Sequence, residues 1–212
     1  IPKGAFGVCE SLKSVTFGAN SRLERIGRDA FIRTGLESFA APPSLRVISQ
    51  AAFCRCGSLK RVALNEGLET LGDDGREGSG SGGVFEESAL EEVALPSTLR
   101  RIECRAFLGC AALRGVAVPD GVVEIGEDAF RGCTGLRSLA LGRASGLRVV
   151  GMGAFGGTAL EAFVAPAALR ELGVAAFCGC RALKRVELNE GLEEVGAFCF
   201  SATPLTELRL PG

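Results

Sequence analysis

Residues 107–129 read F-L-G-C-A-A-L-R-G-V-A-V-P-D-G-V-V-E-I-G-E-D-A, and Phe130 then starts the same pattern again. An A-F pair followed by a small residue, a Leu, a Val and another aliphatic returns along the whole chain. The phenylalanines are Phe6, Phe31, Phe53, Phe85, Phe107, Phe130, Phe155, Phe177 and Phe200, spaced by 25, 22, 32, 22, 23, 25, 22 and 23 residues. A period near 24 is that of stacked repeats, in which one unit cannot bury its apolar set alone and piling units into columns closes a core. Each Phe also follows an aliphatic residue by five positions, at Ile26, Ile48, Ile102, Ile125, Val150, Leu172 and Val195. The exception follows Leu71, where nine extra residues intervene.

Within a unit, L-x-x-V-x-L, as in Leu59, Val62, Leu64 or Leu183, Val186, Leu188, alternates like a short strand with one buried face. A turn follows, carrying Pro42, Asn65, Pro96, Pro119, Pro166 or Asn189, and then a second aliphatic pair such as Leu99 and Ile102. The G-x-x-A-F-x-G segment has room for one helical or 3₁₀ turn at most. These units predict a single parallel-stranded solenoid over 1–212 with about nine repeats and little α-helix. The Gly/Ser-rich stretch from Asp73 to Gly83 reads as a flexible insertion loop whose deletion, Asp74 to Gly82, is expected to cost little.

Three residues after each Phe stands Cys9, Thr34, Cys56, Ser88, Cys110, Cys133, Thr158, Cys180 or Thr203, always a thiol or hydroxyl. Such a column is suited to satisfying backbone carbonyls at the bend between turn and strand. A longer period overlies the short one: Phe31 to Gly72 matches Phe155 to Gly196 at an offset of 124, with 25 identities in 42 positions. A block of five repeats has been copied.

Composition narrows the function. Lys and Arg number 24 against 25 Asp and Glu, 47% of residues are hydrophobic, and His, Tyr and Trp are absent. The balance leaves no basic surplus for phosphates, and no apolar run approaches the roughly 18 residues of a spanning helix. Lack of histidine removes the commonest general base and metal ligand, which argues against an enzyme. No cofactor is expected. The chain opens on Ile1 inside a recurring motif and closes on R-L-R-L-P-G, so it reads as part of something longer with open solenoid ends.

I-G-E-D-A-F-R-G-C-T-G-L and I-E-C-R-A-F-L-G-C-A-A-L resemble the BspA-type leucine-rich repeats, and the likeness covers essentially the whole chain. The resemblance implies a leucine-rich-repeat solenoid with its parallel strands on the concave face, short turns or 3₁₀ segments elsewhere, and a role in protein recognition, often at cell surfaces. Nine unpaired periodic cysteines point the other way, to a reducing compartment.

Candidate sites follow from the columns. Outward residues after each strand Leu are Lys13, Glu37, Lys60, Glu91, Arg114, Arg137, Glu161, Lys184 and Thr206; their alternating sign predicts ion pairs between neighbouring strands, such as Lys60 with Glu91 and Glu91 with Arg114. The next column sets Arg61 beside Glu92 and Arg185 beside Glu207. A third runs Thr16, Ala40, Ala63, Ala94, Ala117, Ala140, Val164, Glu187 and Arg209, a smooth strip open to a partner helix or extended chain. A protein-binding face is thus expected at Lys13, Thr16, Lys60, Arg61, Ala63, Ala94, Ala117, Ala140, Lys184, Arg185 and Glu187. The alternative is a structural subunit of a large assembly, held by its edges and convex surface.

The C-x-C pairs Cys54 with Cys56 and Cys178 with Cys180 lie five repeats, roughly 24 Å, apart, too far to share a metal, and each offers two sulfurs where zinc wants four ligands. They read as core. Cys110 and Cys133 stand in adjacent repeats, near enough for a disulfide, yet their column mates favour packing, and Cys104, off the column, is the expected exposed thiol. Asp73 with Asp74 and Glu86 with Glu87 read as solvated surface. Phe198, outside the Phe column, is a candidate to cover the last repeats or anchor a neighbour.

Overall fold

The computed structural model describes residues 1–72 and 82–210; the expectations for the loop from Asp73 to Gly83 fall largely outside them. The described residues hold sixteen short strands and no helix. In chain order they begin β1 (Arg25–Ile26), β2 (Ser38–Ala40), β3 (Val47–Ser49), β4 (Arg61–Ala63), β5 (Thr70–Gly72) and β6 (Glu92–Ala94). Next come β7 (Arg101–Ile102), β8 (Gly115–Val118), β9 (Glu124–Ile125), β10 (Ser138–Leu141) and β11 (Val149–Val150). The last are β12 (Ala162–Val164), β13 (Glu171–Leu172), β14 (Arg185–Glu187), β15 (Glu194–Val195) and β16 (Glu207–Arg209).

The chain winds as a parallel β-solenoid of about eight turns. Even-numbered strands are the L-x-x-V-x-L segments and form a front wall, paired as β2-β4-β6, β8-β10 and β12-β14-β16. Odd-numbered strands carry the aliphatic pair before each Phe and form a second wall, β1-β3-β5 and β7-β9-β11-β13-β15. The sequence led us to expect strands on one face alone. The second wall arises because Ile26, Ile48, Ile102 and Ile125 each need only one extended neighbour to pair in register, and stacking supplies it.

The Phe segment is a run of tight turns, closed by bonds such as Ala30 to the Gly27 carbonyl and Thr34 to that of Phe31, both at 3.3 Å. Residues two before and two after the Phe take left-handed backbone, as at Asp29 and Arg33 around Phe31 or Asp128 and Gly132 around Phe130. This alternation points every second N–H group along the solenoid axis, while those between bond within their own turn, as Ala129 does to Gly126. Asp128, Phe130 and Gly132 donate to the carbonyls of Met152, Ala154 and Gly156, each at 2.8 Å. The segment is therefore a third hydrogen-bonded wall. Left-handed backbone at residues with a side chain costs about 1–2 kcal/mol each, which these cross-repeat bonds offset.

Between the walls the phenylalanines stack face to face. Centroid separations run from 5.1 Å for Phe107 with Phe130 to 5.6 Å for Phe53 with Phe85. From Phe31 to Phe177 the rings are fully buried, and the Leu and Ile columns close around them.

A glycine in most turns, as at Gly126, Gly151, Gly173 and Gly196, lets adjacent coils approach. A Cβ on Gly126 would lie 2.7 Å from the backbone nitrogen of Cys104, and one on Gly173 2.6 Å from that of Met152. Gly126 is held there by its own N–H on Ile102, at 2.8 Å. We expect Gly126→Val to destabilise the fold by about 1–3 kcal/mol, since the obstacle is backbone rather than a side chain that can swing away. Gly57→Ala, where nothing lies within 4 Å, is the neutral control; chemical denaturation followed by circular dichroism compares the two.

Candidate protein-binding face

The front wall presents its side chains by the period of two. In β4 the pattern is exposed, buried, exposed for Arg61, Val62 and Ala63, and β6 repeats it with Glu92, Val93 and Ala94. The register puts Ala40 opposite Ala63, and Ala63 opposite Ala94. Ala117 faces Ala140 in the same way. The alanine strip exists, but in two patches, because β6 and β8 do not pair and β10 and β12 do not pair. Beyond the second break the column continues as Val164, Glu187 and Arg209, in register with one another.

Lys13 and Thr16 are exposed and precede β1, on a stretch that is not a strand; Lys13 contributes its carbonyl to Glu37, at 3.2 Å. Lys60 pairs with Glu91 at 3.3 Å, both side chains being largely solvated. Arg185 bonds Glu187 of its own strand and lies 3.8 Å from Glu207 on the next. Arg61 faces Glu92 in register without an ion pair between them, and Arg114 meets Glu91 through its backbone N–H, at 3.2 Å. Exposed pairs of this kind contribute about 0.2–1 kcal/mol each, so they fix strand register more than they stabilise the fold. Lys184 sits at the lip of β14, exposed.

The thiol and hydroxyl column does what its chemistry suggests, with a distinction the sequence did not reveal. Cysteines reach back one repeat: Cys56 donates to the Phe31 carbonyl at 3.1 Å, Cys110 to that of Phe85 at 3.0 Å, Cys133 to that of Phe107 at 3.0 Å and Cys180 to that of Phe155 at 3.0 Å. Threonines bond within their own turn, Thr34 to the Phe31 carbonyl at 2.9 Å and Thr203 to that of Phe200 at 2.7 Å. Where the two types adjoin they also meet, as Thr34 with Cys56 at 3.3 Å and Thr158 with Cys180 at 3.2 Å.

All nine cysteines are free. Desolvation pushes the Cys110 thiol up to about 11 and the Cys54 thiol up to about 12, and raises those of Cys56, Cys133 and Cys180 as well. Cys104 is exposed, and so is Cys9. Cys54 is buried and Cys178 half-buried, and no group of three His, Cys, Asp or Glu among the described residues is placed to hold a metal ion. The inference of a reducing compartment from unpaired cysteines does not hold: Cys56, Cys110, Cys133 and Cys180 serve as buried hydrogen-bond donors, a role that makes no reference to redox conditions.

Phe198 does not cover the end of the stack. It occupies the left-handed position two before Phe200, with φ of 59°, and 74% of it is exposed. None of the described helices is long and apolar enough to cross a membrane, there being no helix at all.

Solved structures share this architecture. A leucine-rich repeat protein from Bacteroides ovatus aligns over 94% of this chain and 55% of its own, with 22% identity and a TM-score of 0.69, so the chain spans about half of that protein's length. The leucine-rich repeat protein of T. pallidum aligns over 94% of this chain and 79% of its own, with 23% identity and a TM-score of 0.61. A leucine-rich cell surface protein from Faecalibacterium prausnitzii aligns over 99% and 76%, with 21% identity and a TM-score of 0.51. No curated protein matches the chain. The sequence profile of the BspA type leucine rich repeat region matches residues 1–76, 81–148 and 148–212 in six copies. With the repeat motif, the three-walled coil and that profile agreeing over almost its full length, the chain belongs to the BspA-type leucine-rich repeat family.

Proposed function

We propose that the chain is a non-enzymatic recognition scaffold whose front wall binds another protein, and that it works at a cell surface. The observation that carries this reading is the solvent-facing alanine column, Ala40, Ala63 and Ala94 in register and then Ala117 with Ala140, with Arg61 and Glu92 beside it on β4 and β6. Small side chains let a partner backbone approach closely, while Lys60, Arg61, Lys184, Arg185 and Glu187 offer charge to set its register. No aromatic residue stands on this column to act as an anchor, so affinity would come from area and charge. The surface location is supported by family membership and by the Faecalibacterium prausnitzii protein's description as a cell surface protein.

The double variant Ala94→Arg with Ala117→Arg tests the binding face. Both residues are exposed, so the fold is expected to survive, while partner capture from native material is expected to drop at least tenfold. Unchanged capture by a folded variant would sink the reading. Cross-links from Lys13, Lys60 and Lys184 concentrated on one protein would support it, and links spread over both ends and the back, to several proteins in fixed proportion, would favour a built-in structural subunit instead.

A further inference from the structure

The front wall parts between β10 and β12 while the other two walls run through the same level intact. Lys60, Glu91, Arg114, Arg137, Lys184 and Thr206 each donate a backbone N–H to the carbonyl of the residue one repeat earlier, whereas neither Glu161 nor Ala162 donates to Arg137. Behind the gap, Val149 pairs with Glu124, Phe130 donates to Ala154 at 2.8 Å, and the Phe130 and Phe155 rings stack at 5.4 Å. The opening is a cleft of about 440 Å³ whose lining includes Leu139, Leu141, Arg143, Ala162, Phe163 and Val164. Leu139 and Leu141 are only partly buried, although their neighbours Val116 and Val118 in β8 are 4% exposed.

We propose that this slot receives one extended segment of a partner protein, added as a strand between β10 and β12. The proposal rests on the reading that the front wall recognises protein, and it specifies one site and the form of the ligand. Main-chain chemistry points to that occupant. In the paired parts of the wall the residue equivalent to Ala162 donates backward, as Glu207 does to Lys184 at 2.9 Å, and the residue after the strand donates forward, as Ala165 does to Glu187 at 2.8 Å. By the same register, Ala162 and Val164 turn N–H and C=O toward β10, and Leu139 and Leu141 turn theirs toward β12. Two facing rows of edge groups are what a single strand pairs with on both sides.

Size and charge agree. With a rise of about 3.3 Å, a strand spacing of about 4.8 Å and a sheet thickness of about 10 Å, one strand residue fills about 160 Å³. The cleft thus holds about three residues, the length of β12. Arg137 stands just before β10 and Arg143 just after it, both exposed and neither ion-paired among the described residues, against the carboxylates of Glu161 at the other lip and of Asp120 beside Gly142. The favoured segment therefore alternates apolar residues, to cover Leu139 and Leu141, with acidic ones near its ends.

The probe is a phage-displayed library of random seven-residue peptides, panned on the whole chain, with the enriched peptides then synthesised and titrated. Expected are alternating apolar sequences carrying Asp or Glu, whose affinity falls at least tenfold with Ala162→Pro, a few-fold with Arg143→Glu, and at least tenfold when alternate peptide amides are N-methylated. Should Ala162→Pro fail to fold, Arg143→Glu and the N-methylated peptides decide alone. Absence of enrichment over an uncoated surface overturns the proposal, as does binding indifferent to all three changes. Peptides displaced by Ala94→Arg with Ala117→Arg but not by the slot changes overturn the slot and leave front-wall recognition standing. Native partner capture indifferent to every one of these variants sinks that broader reading as well. A concentration-dependent dimer abolished by Ala162→Pro would make the occupant a second copy and overturn the assignment to a partner.

Discussion

Phe107→Ala is expected to lower the unfolding free energy by about 3–5 kcal/mol, a large share of what holds a domain of this size together. Phe107 is fully buried, with Phe85 at 5.5 Å on one side and Phe130 at 5.1 Å on the other. Its removal takes ring contacts from both neighbours at once. Its backbone is pinned, the N–H to Ala129 at 2.8 Å and the carbonyl by Cys133 at 3.0 Å, so the surrounding turns cannot collapse into the hole. Because each repeat touches only its neighbours, the variant is also expected to split the unfolding curve, the units on either side of the defect melting separately. Denaturant titration followed by circular dichroism reads both effects. Phe6→Ala, at a ring already 42% exposed, is expected to cost clearly less; equal losses at the two positions would contradict a stack that stabilises through burial.

The second large effect is alkaline destabilisation. A thiol whose folded-state pKa is raised above its unfolded value contributes nothing adverse at neutral pH, where both states are protonated. Above about pH 8.5 the unfolded thiols release their protons and the buried ones do not, so the unfolded state gains. Stability should fall as pH rises through the window from about 8.5 to the folded value, about 11 for Cys110. The slope is about 1.4 kcal/mol per pH unit for each thiol that stays protonated, so about 3 kcal/mol per unit for Cys110 and Cys133 together, the two most enclosed in the column. Denaturation midpoints measured at pH 8 and at about pH 10 check it. Replacing both with Thr, which the column already accepts at Thr34 and Thr158, should reduce the slope by their share and leave that of Cys54, Cys56, Cys180 and Cys199. A profile unchanged by that substitution would mean the alkaline response comes from other groups.

Much of this was readable in advance, and for identifiable reasons. The Phe, Leu and aliphatic columns recur in every repeat, at spacings that vary only through the connecting segments, and the strand L-x-x-V-x-L announces its buried face by alternation alone. The cysteine column was legible as chemistry, since only thiols and hydroxyls occur there. Its direction was not: whether Cys56 bonds its own repeat or the previous one depends on the length and angle of the C–S bond against the stacking distance. The third wall stayed hidden because left-handed backbone is usually signalled by glycine, and here Asp29, Ala51, Arg55 and Arg105 adopt it. The glycine spacing rule was obscured by Ser49 and Glu103, which occupy the same column. Asn65 and Asn189 read as turn formers, yet each also reaches back a repeat, to Leu45 and Leu169, both at 3.0 Å.

A period of two turns Arg61, Ala63, Ala94, Ala117, Ala140 and Arg185 to solvent, while Glu187 is half-buried. What the sequence could not convey was continuity. Ala140 and Val164 fall in different sheets, and nothing local in the stretch from Gly142 to Gly146, two residues longer than Pro119 to Gly121, says that the strands on either side come apart.

That parting has a mechanical side. At the level of Phe130 and Phe155 the coil is tied along two walls and untied along the third, so a pull on its two ends cannot be shared evenly. Load there turns about the tied walls as a door turns about its hinge, and tension along the axis becomes a widening of the front opening while the ring stack behind it stays closed. A uniform spring would lengthen everywhere a little; this one concentrates its strain at the levels where a wall is left unpaired.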